Sequence, residues 1–213
     1  VYIYLPAVAR SREPLPAIYV TDGGEYLSLA SAAATLDRLI GTGRMRPVAG
    51  VFIDPRTDPA DPSSNRRMND YAARSPFLDF LEREVAPFVE QRYGLSGKPE
   101  ERAVVGASLG GLIATYAVLA RPGFARKCGA QSPAYFHADS AVIKLLDSLG
   151  KVEGDFYIQS GTIGDTEREA RLVTSMLRER GAQLSYEEFP EGHNWTNWRT
   201  HLAGMFAHFF PQR

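Results

Sequence analysis

The sequence predicts an α/β chain: a doubly wound, mostly parallel sheet with helices on both faces. Three observations predict it. Short apolar runs alternate with helix-length amphipathic segments from one end of the 213 residues to the other. Several of those runs are continuously apolar rather than alternating, as strands covered on both faces require. No repeat and no linker interrupts the alternation, so residues 1–213 are expected to form one domain.

Strands are predicted at residues 1–5, 17–21, 48–53, 103–107, 128–131, 156–159 and 184–189. Between them, residues 26–40 read as a helix after the turn Asp22-Gly23-Gly24. Residues 76–93 carry Phe77, Leu81, Val85, Phe88 and Val89 on one helical face, with a kink expected at Pro87. Residues 109–120 follow a glycine-rich turn, residues 138–149 form a shorter helix, residues 166–180 place Val173, Met176 and Leu177 on one stripe, and residues 195–209 close the chain. Residues 55–74 have neither period and are rich in Pro, Asp and Ser; following a strand, they should overhang the carboxyl edge of the sheet, where such folds place ligands. The uncharged run 103–120 has the length of a membrane span, but Gly106, Gly110 and Gly111 interrupt it where β-rich character turns helical, so a buried strand running into a buried helix is the reading.

Hydrophobic residues make up 44% and charged residues 23% of the chain, which excludes disordered and low-complexity classes. Lys and Arg number 24 against 25 acids, a net charge of −1, so nothing favours nucleic acid or an anionic membrane as a partner. One cysteine, Cys128, leaves no second thiol for a disulfide, a zinc site or an iron–sulfur site, and reads as a buried strand residue. The opening VYIYLP has no basic leader before an apolar segment, so a cytoplasmic protein without a signal peptide is expected; oligomeric state is not legible.

Gly106-Ala107-Ser108-Leu109-Gly110 matches G-x-S-x-G between a buried strand and a buried helix, the context of a nucleophile elbow. Small flanks are a steric requirement of that strained turn. A serine hydroxyl needs a base. Of four histidines, His193 alone sits in a loop after a strand, in FPEGHNW, where the α/β-hydrolase order of Ser, then Asp or Glu, then His puts the base. The third member should follow an intervening strand, and FYIQSGTIGDTE offers Asp165 and Glu167. Asp165 lies in the loop and is preferred; Glu167 opens the next helix, where the dipole alone favours an acid. Backbone N–H groups of Leu109 and Gly24 are the candidate oxyanion donors. Arg66 and Arg67, in the overhanging loop, and Trp195 and Trp198, three apart on a helix, are the candidate substrate contacts, against the plainer readings of an Arg67–Asp70 pair and of core tryptophans.

IYVTDGGEY, RRMNDY, FLEREVAPFVEQRYG, VVGASLGGL, GAQSPAYF and EGHNWTNWR, in that order over nearly the whole chain, resemble the enterochelin esterase and esterase D group of α/β-hydrolases. G-H-x-W-x-x-W-R, with Trp195, Trp198 and Arg199, is the most specific of these matches. The resemblance implies a cofactor-free, metal-free serine esterase that uses Ser108 and His193 on a small-molecule ester, a siderophore lactone or related aromatic ester being the first expectation. Feruloyl or small acyl esters, or acyl transfer to another acceptor, are the alternatives. A non-catalytic binding module on the same scaffold is the rival from another class. Two departures stand out: the siderophore enzymes usually carry a β-sandwich domain ahead of the catalytic one, and Pro133 replaces the last glycine of a family QSG.

Overall fold

The computed structural model describes residues 1–7 and 13–212. Seven strands form one sheet: β1 (Tyr2–Tyr4), β2 (Ala17–Val20), β3 (Ala49–Phe52), β4 (Arg102–Ala107), β5 (Lys127–Gln131), β6 (Asp155–Gly161) and β7 (Gln183–Phe189), in the spatial order β1-β3-β2-β4-β5-β6-β7. Only β1 runs antiparallel, pairing Tyr2 with Phe52; the remaining neighbours are parallel. From β2 the chain winds outward to β3 and then back across to β4, so β2 and β4 flank the switch point at which ligand crevices open in such sheets.

Burial along the strands explains the doubly wound layout. In β2, Ile18 and Val20 join one apolar cluster while Ala17 and Tyr19 join the other; in β4, Ala103 and Val105 face one cluster and Val104 the other. Since successive side chains point to opposite faces, both faces of the sheet must be covered. Helices α1 (Gly23–Ser28), α2 (Ala32–Gly41) and α9 (Trp195–Phe209) cover one face. The other is covered by α4 (Ser75–Phe80), α5 (Ala86–Tyr93), α6 (Leu109–Ala120), α7 (His137–Ser148) and α8 (Glu167–Glu179), while the four-residue α3 (Arg67–Asp70) lies in the long loop. The run 103–120 divides into β4 and α6 as its glycines require. Cys128 is fully buried in β5, which pushes its thiol up to about 12.

Three helices depart from the sequence reading, one of them α7, whose first turn is broken by left-handed Ala138, Asp139 and Ser140. The predicted helix 26–40 is broken into α1 and α2, with Ser31 in the left-handed region at φ 52°. Tyr26 and Leu39 are thirteen positions apart, which on one straight helix would set them roughly 140° apart, yet both are buried in the same cluster. The break makes that possible. In the helix predicted at 76–93, the irregularity is not a kink at Pro87 but a π-helical turn at Leu81–Val85 directly before it, where wider winding accommodates a residue that has no N–H. The wide turn also shifts the apolar stripe. Phe77, Leu81, Val85 and Val89 recur every four residues and are buried, whereas Phe88, assigned to that face by a 3.6-residue period, is 63% exposed.

At the end of β4 the chain has no room for side chains. A Cβ on Gly106 would collide with Thr21 Oγ1 and with the Gly110 carbonyl, and one on Gly110 would collide with Thr21 Oγ1. Gly106→Ala should therefore lower stability by roughly 3 kcal/mol, the upper range for overpacking. Gly123→Ala, which meets nothing within 4 Å, should stay within about 0.5 kcal/mol of the parent. Urea unfolding of the two variants checks the contrast.

Candidate active site

Ser108 occupies the junction of β4 and α6 with φ 57° and ψ −119°, a conformation costly for any residue with a side chain. Its surroundings impose it: the Ser108 N–H donates to Gln131 O at 2.9 Å, extending the β4–β5 ladder, while its carbonyl accepts from Leu112 N–H and Ala134 N–H, both at 3.0 Å. The chain thus turns from strand to helix within one residue, and the serine is lifted into the crevice.

His193 stands in the loop between β7 and α9, with Nε2 3.0 Å from Ser108 Oγ and Nδ1 2.7 Å from Asp165 Oδ1. A carboxylate only accepts, so Nδ1 carries the hydrogen and the Nε2 lone pair of the neutral ring faces the serine hydroxyl. Asp165 lies in the loop after β6, and its side chain is fully buried. Its Oδ2 accepts the Ser132 hydroxyl and the Gly161 N–H, both at 2.6 Å. Burial alone would raise the Asp165 carboxyl, but hydrogen bonds from His193, Ser132 and Gly161 outweigh it and hold the group below its ordinary value. Glu167 is the first residue of α8 and is not part of this chain of hydrogen bonds.

The tryptophans divide their duties. Trp198 is buried, stands edge-on to the His193 ring at 5.1 Å and donates its indole N–H to Ser132 Oγ at 2.9 Å. Trp195 packs edge-on against Trp198 at 4.9 Å and against Tyr26 at 5.1 Å. Both line a cavity of about 240 Å³ together with Ser108, Asp22, Glu25, Asn65 and Arg67. Gln131 ties the walls together, accepting from Tyr26 OH and donating to Trp198 O, each at 2.8 Å. Pro133 packs close to Gly111, where a Cβ would come within 3.1 Å of its ring, so that side of the crevice is braced against α6.

The loop arginines lie differently from the simplest sequence expectation. Arg67 pairs not with Asp70 but with buried Asp22, through Nε to Oδ1 at 2.8 Å and Nη2 to Oδ2 at 2.9 Å, and Nη2 also reaches Ala107 O at 3.3 Å. It is Arg66 that faces Asp70, at 3.4 Å, and it lines a separate cavity with Phe77 and Phe80 rather than the one at Ser108. Asp22, at the N-cap position of α1, makes no side-chain cap there because its carboxylate is spent on Arg67. Burial pushes that carboxyl up, against the two hydrogen bonds and the charge of Arg67. Leu109 opens α6 beside the serine and Gly24 is second in α1; a Cβ on Gly24 would point at the Asp54–Arg56 pair, away from its N–H, and neither residue is among those whose atoms line the 240 Å³ cavity. Sequence reasoning missed Ser132, Asp22, Glu25 and Asn65. Only the left-handed turns at Asp22 and Ser132 mark two of them, and neither is visible without coordinates.

A sheet wound this way, with an elbow after one central strand and an aligned acid and histidine beyond later ones, is the α/β-hydrolase fold, and the chain belongs to the Esterase family, whose model matches residues 1–209. Among its relatives, the siderophore triacetylfusarinine C esterase of Aspergillus fumigatus is 33% identical over 121 residues, which are 52% of this chain and 41% of that one. The uncharacterised protein YbbA of Bacillus subtilis is 25% identical over 196 residues, covering 84% and 78% of the two chains. The enterobactin esterase of Shigella flexneri superposes with a TM-score of 0.84 at 20% identity, over 97% of this chain and 53% of that one. The matched stretch is thus 41% of the Aspergillus fumigatus esterase and about half of the Shigella flexneri one. Among the described residues no helix is long and apolar enough to cross a membrane.

The lowered Asp165 carboxyl has a definite sign for stability. A group depressed in the folded state contributes fully above its unfolded value, about 4, and that contribution is lost as pH falls through the folded value. Urea midpoints of the parent and of Asp165→Asn should differ most above the unfolded carboxyl value of about 4 and converge progressively as the pH falls below it.

Proposed function

We propose that the chain is a serine carboxylic ester hydrolase working through an acyl-enzyme. The observation that carries this reading is the continuous relay from Ser108 Oγ to His193 Nε2 at 3.0 Å and from Nδ1 to buried Asp165 at 2.7 Å. Ser108 Oγ attacks the ester carbonyl carbon while His193 Nε2 takes its proton, and Asp165 holds the ring in that tautomer and stabilises the imidazolium formed. Negative charge on the carbonyl oxygen rests on the N–H of Leu109, at the open N-terminus of α6, and on that of Gly24. Gly23 donates its own N–H to Ile53 O and so supplies no donor there, which supports Gly24 rather than Gly23 in this role. The intermediate collapses as the C–O bond to the alcohol breaks and the imidazolium protonates the leaving oxygen. Water then attacks the acyl carbon, His193 takes its proton, and the acid departs as Ser108 regains the hydrogen. No metal or cofactor enters any step.

As substrate we propose a small ester with an aromatic portion, a siderophore ester first. Trp195 and Trp198 offer ring edges and faces beside Ser108, and two proteins similar to this chain are named for siderophore esters, which supports that reading. Hydrolysis of p-nitrophenyl, feruloyl and catecholate-lactone esters ranks these classes.

Ser108→Ala should fold and lose about a million-fold in kcat, the scale seen on removing a hydrolase nucleophile. It should also lose labelling by a fluorophosphonate; labelling at another serine with activity retained would overturn the assignment. Asp165→Asn should cost about ten-thousand-fold in kcat, measured well above the histidine pKa, while Glu167→Gln spares turnover. The reverse pattern would give the orienting role to Glu167.

A further inference from the structure

We infer that Arg67 is a positioning residue that sets the oxyanion site from outside it, acting through Asp22; the inference rests on the hydrolase reading above. Asp22 precedes the glycine turn and sits in the left-handed region at φ 51° and ψ 43°, which a residue with a side chain holds only when its neighbours fix it. Both of its ends are fixed by one short segment. Arg67 grips the carboxylate with two parallel hydrogen bonds, and the hydroxyl of Tyr71, four residues on, accepts the Asp22 N–H at 3.0 Å. The same guanidinium donates to the carbonyl of Ala107, the residue before the nucleophile. One planar group therefore spans the turn after β2 and the elbow after β4, the two backbone stretches that carry Gly24 and Leu109.

The chemistry of the side chain suits this task better than substrate capture. The Nε and Nη2 hydrogens are committed within the protein, and the Asp22 carboxylate offsets the positive charge at 2.8 Å. A guanidinium fork fixes the angle as well as the distance between its acceptors, whereas a lysine ammonium cannot reproduce two parallel bonds and a third from the same planar group. A partly buried pair of this kind is weak as a source of stability, since desolvating the ions offsets their attraction. Its effect is to hold two backbone segments in fixed separation.

The test compares Arg67→Ala, Arg67→Lys and Tyr71→Phe with the parent on p-nitrophenyl acetate and p-nitrophenyl butyrate. It also measures binding of a trifluoromethyl ketone, whose adduct with the serine places an oxyanion in the same site. Arg67→Ala should lower kcat about a hundred-fold with KM within about twofold, the scale of one misaligned oxyanion donor. Affinity for the ketone should fall in proportion, and ethylguanidinium should restore part of kcat. Arg67→Lys should remain close to the alanine variant. Tyr71→Phe keeps the shape and the packing, and should lower kcat about tenfold at constant KM; it decides the matter if Arg67→Ala does not fold. A raised KM at unchanged kcat would make Arg67 a substrate contact and overturn the proposal, as would unchanged kcat in Tyr71→Phe. Fluorophosphonate labelling of the parent keeps the two levels apart: a labelled parent with undiminished kcat in the variants sinks only the positioning role, whereas an unlabelled parent sinks the hydrolase reading and this proposal with it.

Discussion

The Asp165 carboxylate accepts three hydrogen bonds on two oxygens, and the site is arranged around them. Oδ1 takes the histidine; Oδ2 takes the Gly161 N–H at the tip of β6 and the Ser132 hydroxyl just beyond β5. Ser132 in turn accepts the Trp198 indole, which supports the face of the imidazole. Loops from three strands and one helix are so fixed to a single buried charge. A buried carboxylate is tolerable only when its lone pairs are filled, and here filling them is what orients the histidine.

Steric exclusion provides the complementary constraint. Thr21, at the end of β2, lies so near Gly106 and Gly110 that neither position admits even a methyl group. This closeness brings the turn after β2 alongside the elbow after β4, the two parallel strands that flank the switch point. Hydrogen bonding sets the histidine side of the crevice and close backbone packing sets the opposite side, with Ser108 between them.

The parts of this arrangement that could be read from sequence are those encoded locally or by chain order. Small residues around Ser108, a loop histidine after the last strand and an acid after the strand before it are properties of short segments in sequence, and the structure brings all three within hydrogen-bond distance. The Esterase family match over residues 1–209 bears out the resemblance on which the family reading rested. What escaped is non-local. Arg67 and Asp22 are 45 residues apart, and no pattern tells a bidentate partner from the nearer Asp70. Ser132 reads as an ordinary loop serine until its hydroxyl is found between an indole and a carboxylate. The π-helical turn before Pro87 and the break at Ser31 escaped because a fixed helical period assumes uniform winding, and tertiary packing overrode that assumption at Phe88 and at Leu39.

Cys128, sealed inside β5 beside the Thr115 hydroxyl with its thiol held far above neutral pH, has a practical consequence. The thiolate is the reactive form, and the only cysteine in the chain neither forms it nor meets solvent. In the folded chain Cys128 is therefore shielded from maleimides and thiol-directed spin labels. A cysteine placed anywhere on the surface would be the only thiol such reagents find, so a spectroscopic probe on the 55–74 segment could follow that segment as an ester arrives without first stripping the chain of its own sulfur.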